Sequence, residues 1–311
     1  MANETIFKRY PGNPIITAAA VPTANTIFNS AAVKFGKGYA GVFRVDTQKM
    51  ECELHAGFSK DGITWDINAD RVICRTKDPD ANPTGPVNPY DPRVTPIDGE
   101  FIVSYCSYPA GPGPHIGIAR TKDFKRFDLI SEIALPYNRN AVVFPRKING
   151  KYAALHRPSD TGHTPYGDIF FATSPDLIHW GEHHYIFGPR GGWQGGKTGA
   201  GPVPIETKEG WLMIYHGVRI TCSGYVYAAG AALLDIEKPW KVLYRSKRYL
   251  LHPTELYERV GDVPNVLFPN AAIVDEKTRE IRLYYGCADT CVGMATGNLD
   301  EVIDFVKKNA F

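Results

Sequence analysis

The sequence predicts an all-β protein, a five-bladed β-propeller with a short C-terminal helix, as one catalytic domain over residues 1–311. Three observations carry that reading. The 30 glycines and 24 prolines sit largely in turn-like dipeptides between short apolar runs, which favours many strands over long helices. A turn followed by an alternating strand occurs five times along the chain. A third element, Ser/Thr-x-Asp followed by an aromatic, recurs at steps of roughly sixty residues, long enough for a four-stranded unit with one generous loop.

The five turn-then-strand copies begin at Gly38, Gly99, Gly150, Gly210 and Glu280, the last without an opening glycine. A shorter strand precedes each: residues 28–33, 90–94, 140–144, 201–205 and 269–273. The third element follows as Ser59-Lys-Asp61 with Trp65, Thr121-Lys-Asp123 with Phe127, and Ser174-Pro-Asp176 with Trp180. Asp235 with Trp240 is a looser copy, and Asn298 to Asp300 a degenerate fifth. One such unit cannot bury both faces of its sheet, whereas a closed ring of five does so without long open edges. The apolar positions 299, 302, 303, 305 and 306 make residues 299–308 a helix with one apolar side. The first ten residues form an arm or part of a closing strand.

Composition removes several function classes. A hydrophobic share of 43% and a charged share of 22% supply a core and argue against disorder. The balance of 35 basic to 33 acidic residues gives +2, so no global field favours nucleic acid or an anionic membrane. No uninterrupted apolar run reaches the length of a membrane span, and the N-terminal residues show no signal-peptide pattern. Cys52, Cys74, Cys106, Cys222, Cys287 and Cys291 are scattered without paired Cys/His spacing. Zinc is therefore not expected, the thiols read as reduced, and the expected location is the cytoplasm.

In a propeller the inner strands line a central channel, and here they carry or flank Asn29, Ser30, Arg44, Asp91, Arg139, Arg157, Lys197, His216 and Asp289. Residues distant in sequence would then converge on one axis. Pro92 biases Asp91 toward extended backbone, and a carboxyl near arginines can serve as a general acid. The alternative is an Asp that caps a turn or pairs with Arg93. Arg139, Arg157, Lys197 and His216 come from the third and fourth units. Forked guanidinium donors with a Lys and a His suit a dianion such as phosphate, the alternative being unrelated surface cations. Gly195-Gly-Lys-Thr-Gly199 lacks the spacing of a Walker A loop. His179, His183 and His184 read as surface or inter-blade residues, since Gly181 argues against a metal-binding helix. Tyr90, Tyr105, Tyr166, Trp193 and Tyr227 offer rings for a sugar, with core packing as the competing role.

These residues resemble glycoside hydrolase family 130, the β-mannoside phosphorylases and related β-mannosidases, from Asn13-Pro-Ile-Ile16 to Gly286-Cys-Ala-Asp289. The motifs that carry the resemblance are Asn29-Ser30, Asp91-Pro-Arg93, Arg139 with Arg157, Lys197-Thr-Gly199, Tyr215-His-Gly217 and Asp289. The family's fold is a five-bladed propeller. The resemblance places the catalytic acid on Asp91 and the phosphate site on Arg139, Arg157, Lys197 and His216, with Tyr227 nearby. It places mannose against Asn29, Ser30, Arg44 and Asp289, and puts Tyr90 and His163 on the acceptor side. It further implies that the acid relays its proton through the mannose 3-hydroxyl.

Phosphate is already anionic and needs holding and partial neutralisation, whereas an inverting hydrolase needs a second carboxylate to activate water. The expected activity is inverting β-mannoside phosphorolysis to α-mannose 1-phosphate, on β-1,4-mannooligosaccharides or mannosyl-N-acetylglucosamine. Inorganic phosphate enters as co-substrate, with no further cofactor and no metal. A β-1,2-mannoside phosphorylase, a hydrolytic β-mannosidase and a non-catalytic carbohydrate-binding propeller remain as alternatives. The oligomeric state stays open, and a homo-oligomer whose terminal segments complete a neighbour's funnel is one arrangement the sequence allows.

Overall fold

A computed structural model describes residues 6–76, 88–108, 113–133, 137–159, 167–222 and 224–311. Five sheets, antiparallel but for one added strand, follow one another along the chain and form the blades of a ring, a five-bladed β-propeller. Blade 1 runs from Ala24–Phe35 through Gly38–Thr47 and Cys52–Ser59 to Trp65–Arg71. Blade 2 starts at Tyr90–Ile97, blade 3 at Asn138–Val143, blade 4 at Lys197–Ala200 and blade 5 at Leu267–Val274. Blade 2 carries a strand beyond the expected four: Cys74–Arg75 pairs in parallel with the outer strand Phe127–Ile133.

The core lies between blades, because each sheet is covered on both faces. Along the second strand of blade 4, Trp211, Met213 and Tyr215 pack with blade 3 residues such as Phe144 and Leu155. Their neighbours Leu212 and Ile214 pack with Leu267, Leu283 and Tyr285 of blade 5. Successive side chains on a strand point to opposite faces, so one run of apolar residues builds two interfaces. Truncating a fully buried ring such as Trp211 would cost about 3–5 kcal/mol.

The recurring Asp elements are turn builders. Asp61 Oδ1 accepts from the backbone N–H of Ile63 and Thr64, and Asp123, Asp176 and Asp235 do the same two and three residues on. Each holds the hairpin to an outer strand as an Asx-turn. The degenerate fifth copy has a different outcome on the same chemistry. Asn298 accepts from Asp300 and Glu301 N–H as the cap of helix Leu299–Lys308. The helix buries Leu299, Val302, Ile303, Phe305 and Val306 against blades 4 and 5.

With the helix in that place, the outer strand of blade 5 comes from the other end of the chain. Lys8–Arg9 pairs antiparallel with Cys291–Asn298. The buried Glu258 carboxylate locks this closure by accepting from Arg9 Nε at 2.7 Å and Nη2 at 2.8 Å. Tyr285 donates its hydroxyl to the same carboxylate at 3.0 Å. Asn13 continues the latch, with both its amide ends bonded to the backbone of Met294. All six cysteines are free thiols, and no described helix is long and apolar enough to cross a membrane.

Candidate active site

A β-bulge interrupts the first strand of blades 1, 2, 3 and 5 just where the chain reaches the channel. Asn29, Asp91 and Asn140 sit in these bulges with φ of 42°, 50° and 55°. Asn270 holds the corresponding place in blade 5, and Gly201 in the break of blade 4's first strand. The sequence expectation for Asp91 is thereby corrected. Its backbone is left-handed, not extended, because the bulge geometry outweighs the bias of Pro92. Asn and Asp are the side-chain-bearing residues that tolerate this region best. A bulge re-aims its side chain, and here it turns the Asp91 carboxyl into a cavity of about 490 Å³.

All five blades contribute to that cavity, so it lies over the axis. Its walls include Asn29 and Arg44 from blade 1, Tyr90 and Asp91 from blade 2, and Arg139 and Arg157 from blade 3. Lys197 and Tyr227 come from blade 4 and Asp289 from blade 5. Asp91 Oδ1 accepts from Asn29 Nδ2 and from Arg44 Nη1, each at 2.9 Å. Both bonds fall on the same carboxylate oxygen. Arg44 is itself held by Asp46 through Nε at 2.8 Å and Nη2 at 2.9 Å. Burial lowers the pKa of its guanidinium, but Asp91 and Asp46 outweigh this and raise it well above the usual value.

The basic side is built differently from a set of four equal cations. Arg139 donates Nε to the Tyr90 hydroxyl at 3.2 Å and Nη1 to Ser159 at 2.6 Å. Lys197 Nζ lies 4.7 Å from the Tyr225 ring centre and 5.3 Å from that of Tyr227. Arg157 donates Nη1 to Nε2 of His216 at 3.0 Å. His216 is fully buried behind the wall and does not line the cavity. Burial, and then the charges of Arg157, Arg93 and Lys197, hold its pKa well below the ordinary histidine value. It is a neutral imidazole that orients Arg157. Burial also lowers the Arg157 pKa, and neighbouring Arg139 adds to the effect.

Gly199 explains part of the Lys197-Thr-Gly199 motif. A Cβ there would stand 2.6 Å from His216 Nε2 and 2.9 Å from Arg157 Nη1, so only glycine lets those two groups meet. Asp289 sits at φ 48° on the hairpin tip between the cross-strand pair Cys287 and Cys291. Burial, aided by Asp91, Asp46 and Asp262 and opposed by Arg44, pushes its pKa up to about 7.

One other expected residue falls elsewhere, and one is not described. Ser30 is buried and donates Oγ to the carbonyl of Phe28, away from the cavity wall. His163, like Tyr166, lies outside the described residues. His184 stacks on Trp240 at 4.3 Å between blades 3 and 4, and Tyr105 belongs to the core between blades 1 and 2. Among the described residues no group of His, Cys, Asp and Glu has the arrangement of a metal site. The cavity also uses Met50, Cys52, Asn88, Tyr108, Asn140, Val266 and Phe268, which sequence reasoning did not single out. Asn140 alone had a signal, its place beside Arg139 in the repeat matching Asn29 and Asp91.

Fold and cavity together define a propeller with an acid, a cluster of cations and sugar-sized space over its axis. The chain belongs to glycoside hydrolase family 130: the family described as beta-1,4-mannooligosaccharide phosphorylase matches residues 4–308. A beta-1,4-mannooligosaccharide phosphorylase of Ruminococcus albus is 53% identical over 310 residues, covering 97% of this chain and 91% of that one. A beta-1,2-mannobiose phosphorylase of Listeria innocua is 39% identical over 216 residues, 68% of this chain and 58% of that protein. The structure of a Listeria innocua beta-1,2-mannobiose phosphorylase with beta-1,2-mannobiose superimposes with a TM-score of 0.85. It is 27% identical, and the alignment covers 97% of this chain and 99% of that one.

Proposed function

We propose that this protein is an inverting β-mannoside phosphorylase that cleaves β-1,4-linked mannooligosaccharides with inorganic phosphate. The single observation that carries the reading is the joint placement of Arg139, Arg157 and Lys197 with Asp91 around one cavity. The five blades divide the work around the ring. Blades 3 and 4 hold the anion, blade 2 supplies the acid, and blades 1 and 5 bracket the mannose through Asn29, Arg44 and Asp289. The choice of the β-1,4 linkage rests on the Ruminococcus albus relative.

In the proposed reaction a phosphate oxygen attacks the anomeric carbon from the face opposite the leaving group. The bond from that carbon to the glycosidic oxygen breaks with inversion, giving α-mannose 1-phosphate. The leaving oxygen gains a proton that derives from Asp91, relayed through the mannose 3-hydroxyl as the family resemblance implies. Three positive side chains neutralise the dianion and hold it in line, work worth several kcal/mol. Activating water would need no such cluster.

Asp289 gives the hydrolytic alternative its one specific support, since it is a second carboxyl in the cavity. A pKa raised to about 7 fits a hydrogen-bond donor to a sugar hydroxyl and equally a general base, so phosphate dependence of cleavage decides between the two readings. A product assay over β-1,4-mannobiose, β-1,2-mannobiose and mannosyl-N-acetylglucosamine tests the assignment. Preferential phosphorolysis of the first is expected, and a preference for β-1,2-mannobiose would overturn the linkage.

A further inference from the structure

Arg93 belongs to the Asp91-Pro-Arg93 motif, yet it lines no wall of the cavity. Its side chain is fully buried beside two groups that do, Asp91 and Phe268. The guanidinium carbon lies 5.5 Å from the Phe268 ring centre. Its hydrogen bonds among the described residues all end on backbone carbonyls. On its own strand Nη1 donates to Asp91 at 3.1 Å and to Pro92 at 3.2 Å. Across the axis Nε donates to Gly201 at 2.6 Å and Nη2 to Ala200 at 3.5 Å.

Those four carbonyls belong to two blades that are not neighbours in the ring. One pair forms the left-handed bulge that aims Asp91, and the other ends the strand Lys197–Ala200. Adjacent blades are fixed to each other by the apolar packing between them, but among the described residues blades 2 and 4 share no hydrophobic cluster. We propose that Arg93 is the positioning residue of the reaction, setting the separation between the Asp91 carboxyl and the anion held by Lys197 and Arg157 from beneath the cavity. This inference rests on the reading of Asp91 as the acid and of the blade 3 and 4 cations as the phosphate site.

Filling the channel would not require an arginine. A buried guanidinium without an ion-pair partner in contact is costly, and an apolar side chain of similar volume would fill the space at less cost. What an apolar residue cannot do is donate to four carbonyls in a fixed fork. Burial lowers the Arg93 pKa to about 10, with Asp91 pulling the other way, so the group is charged at neutral pH. Its field reaches Asp91, Arg157 and His216. An in-line displacement is sensitive to this spacing, since a misplacement of about 1 Å can cost about 100-fold in rate.

The test compares Arg93→Gln and Arg93→Lys with two controls. Asp91→Asn tests the acid assignment itself. Thr95→Val removes another fully buried tie on the same strand, Oγ1 to the Val143 carbonyl at 2.9 Å, which joins blades 2 and 3 without touching Asp91. Phosphorolysis is measured as kcat and as KM for each substrate, with mannoside affinity by calorimetry and unfolding midpoints alongside. Arg93→Gln is expected to lose about 100-fold in kcat while mannoside affinity changes less than about threefold. Arg93→Lys restores the charge but not the fork, and is expected to recover about tenfold of that loss. Thr95→Val should lower the unfolding midpoint and leave kcat unchanged. If the glutamine variant does not fold, the lysine variant decides alone, with an expected loss of about tenfold. A folded Arg93 variant with kcat within about threefold of native, alongside an inactive Asp91→Asn, would overturn the positioning role. A native-like Asp91→Asn would instead remove the reading on which it rests.

Discussion

Arg157 donates Nη1 to Nε2 of His216 at 3.0 Å. A guanidinium has no lone pair to offer, so this histidine nitrogen must be unprotonated and the imidazole neutral. The pair turns one residue of the expected cation set into the support of another. Replacing His216 with Ala removes a hydrogen bond to a charged group, worth about 1.5–3 kcal/mol. The KM for phosphate should therefore rise by about tenfold or more, while mannoside affinity stays near native. Equal losses toward both substrates would show that His216 acts on the whole cavity.

Asp289 should titrate far from an ordinary carboxylate. An acid whose folded pKa exceeds its unfolded value near 3.9 contributes stability in full below that value. The contribution is lost as pH rises through about 7. A carbon-detected NMR titration of the Asp289 carboxyl should place its midpoint near neutrality, and Asp289→Asn should flatten the stability profile between pH 4 and pH 7. A midpoint near 4 would contradict the burial argument.

His156 imposes the opposite slope. It bridges Asn138 and His183 in blade 3, and burial first, then the charge of His183, depresses its pKa to about 3. Below an unfolded value of about 6.5 the unfolded chain binds a proton that the folded chain refuses. Stability is thus lost as pH falls from about 6.5 toward 3. The slope per such histidine is about 1.4 kcal/mol per pH unit. Urea titrations of His156→Gln against native protein at pH 6.5 and 5 should differ by about that slope, and parallel profiles would count against it.

The Arg9–Glu258 latch should govern ring closure. Removing one partner of a buried ion pair costs about 3–5 kcal/mol, so Glu258→Ala should lower unfolding stability by that order. The exposed pair Lys151–Glu182 offers the contrast, since surface pairs are worth about 0–1 kcal/mol. Comparable small losses from Glu258→Ala and Lys151→Ala, measured in urea, would show that the N-terminal strand does not hold the ring.

Much of the architecture was legible because each blade repeats the same local chemistry. Glycine turns, alternating strands and Asx-turn aspartates recur at fixed places, and the apolar positions of residues 299–308 give the helix directly. The strand Cys74–Arg75 was not legible, since two residues leave no periodic signal. The pairing of Lys8–Arg9 with blade 5 was half legible: the sequence allows the first ten residues to be an arm or part of a closing strand, and the register with Ala295 and Thr296 makes them the closing strand. At the site, chemistry was readable from residue type while role depended on depth. Asp91, Arg139, Arg157 and Lys197 reach the cavity, but His216 lies one layer behind it and Ser30 turns back to its own backbone. Pro92 pointed to an extended Asp91 because the neighbouring-residue effect is local, whereas the bulge is set by the register of the blade.

The most direct test of the central claim is phosphorus NMR of β-1,4-mannobiose incubated with the protein, with and without inorganic phosphate. The account predicts α-mannose 1-phosphate in step with phosphate consumed, and no cleavage in its absence. Release of free mannose at the same rate without phosphate would contradict it.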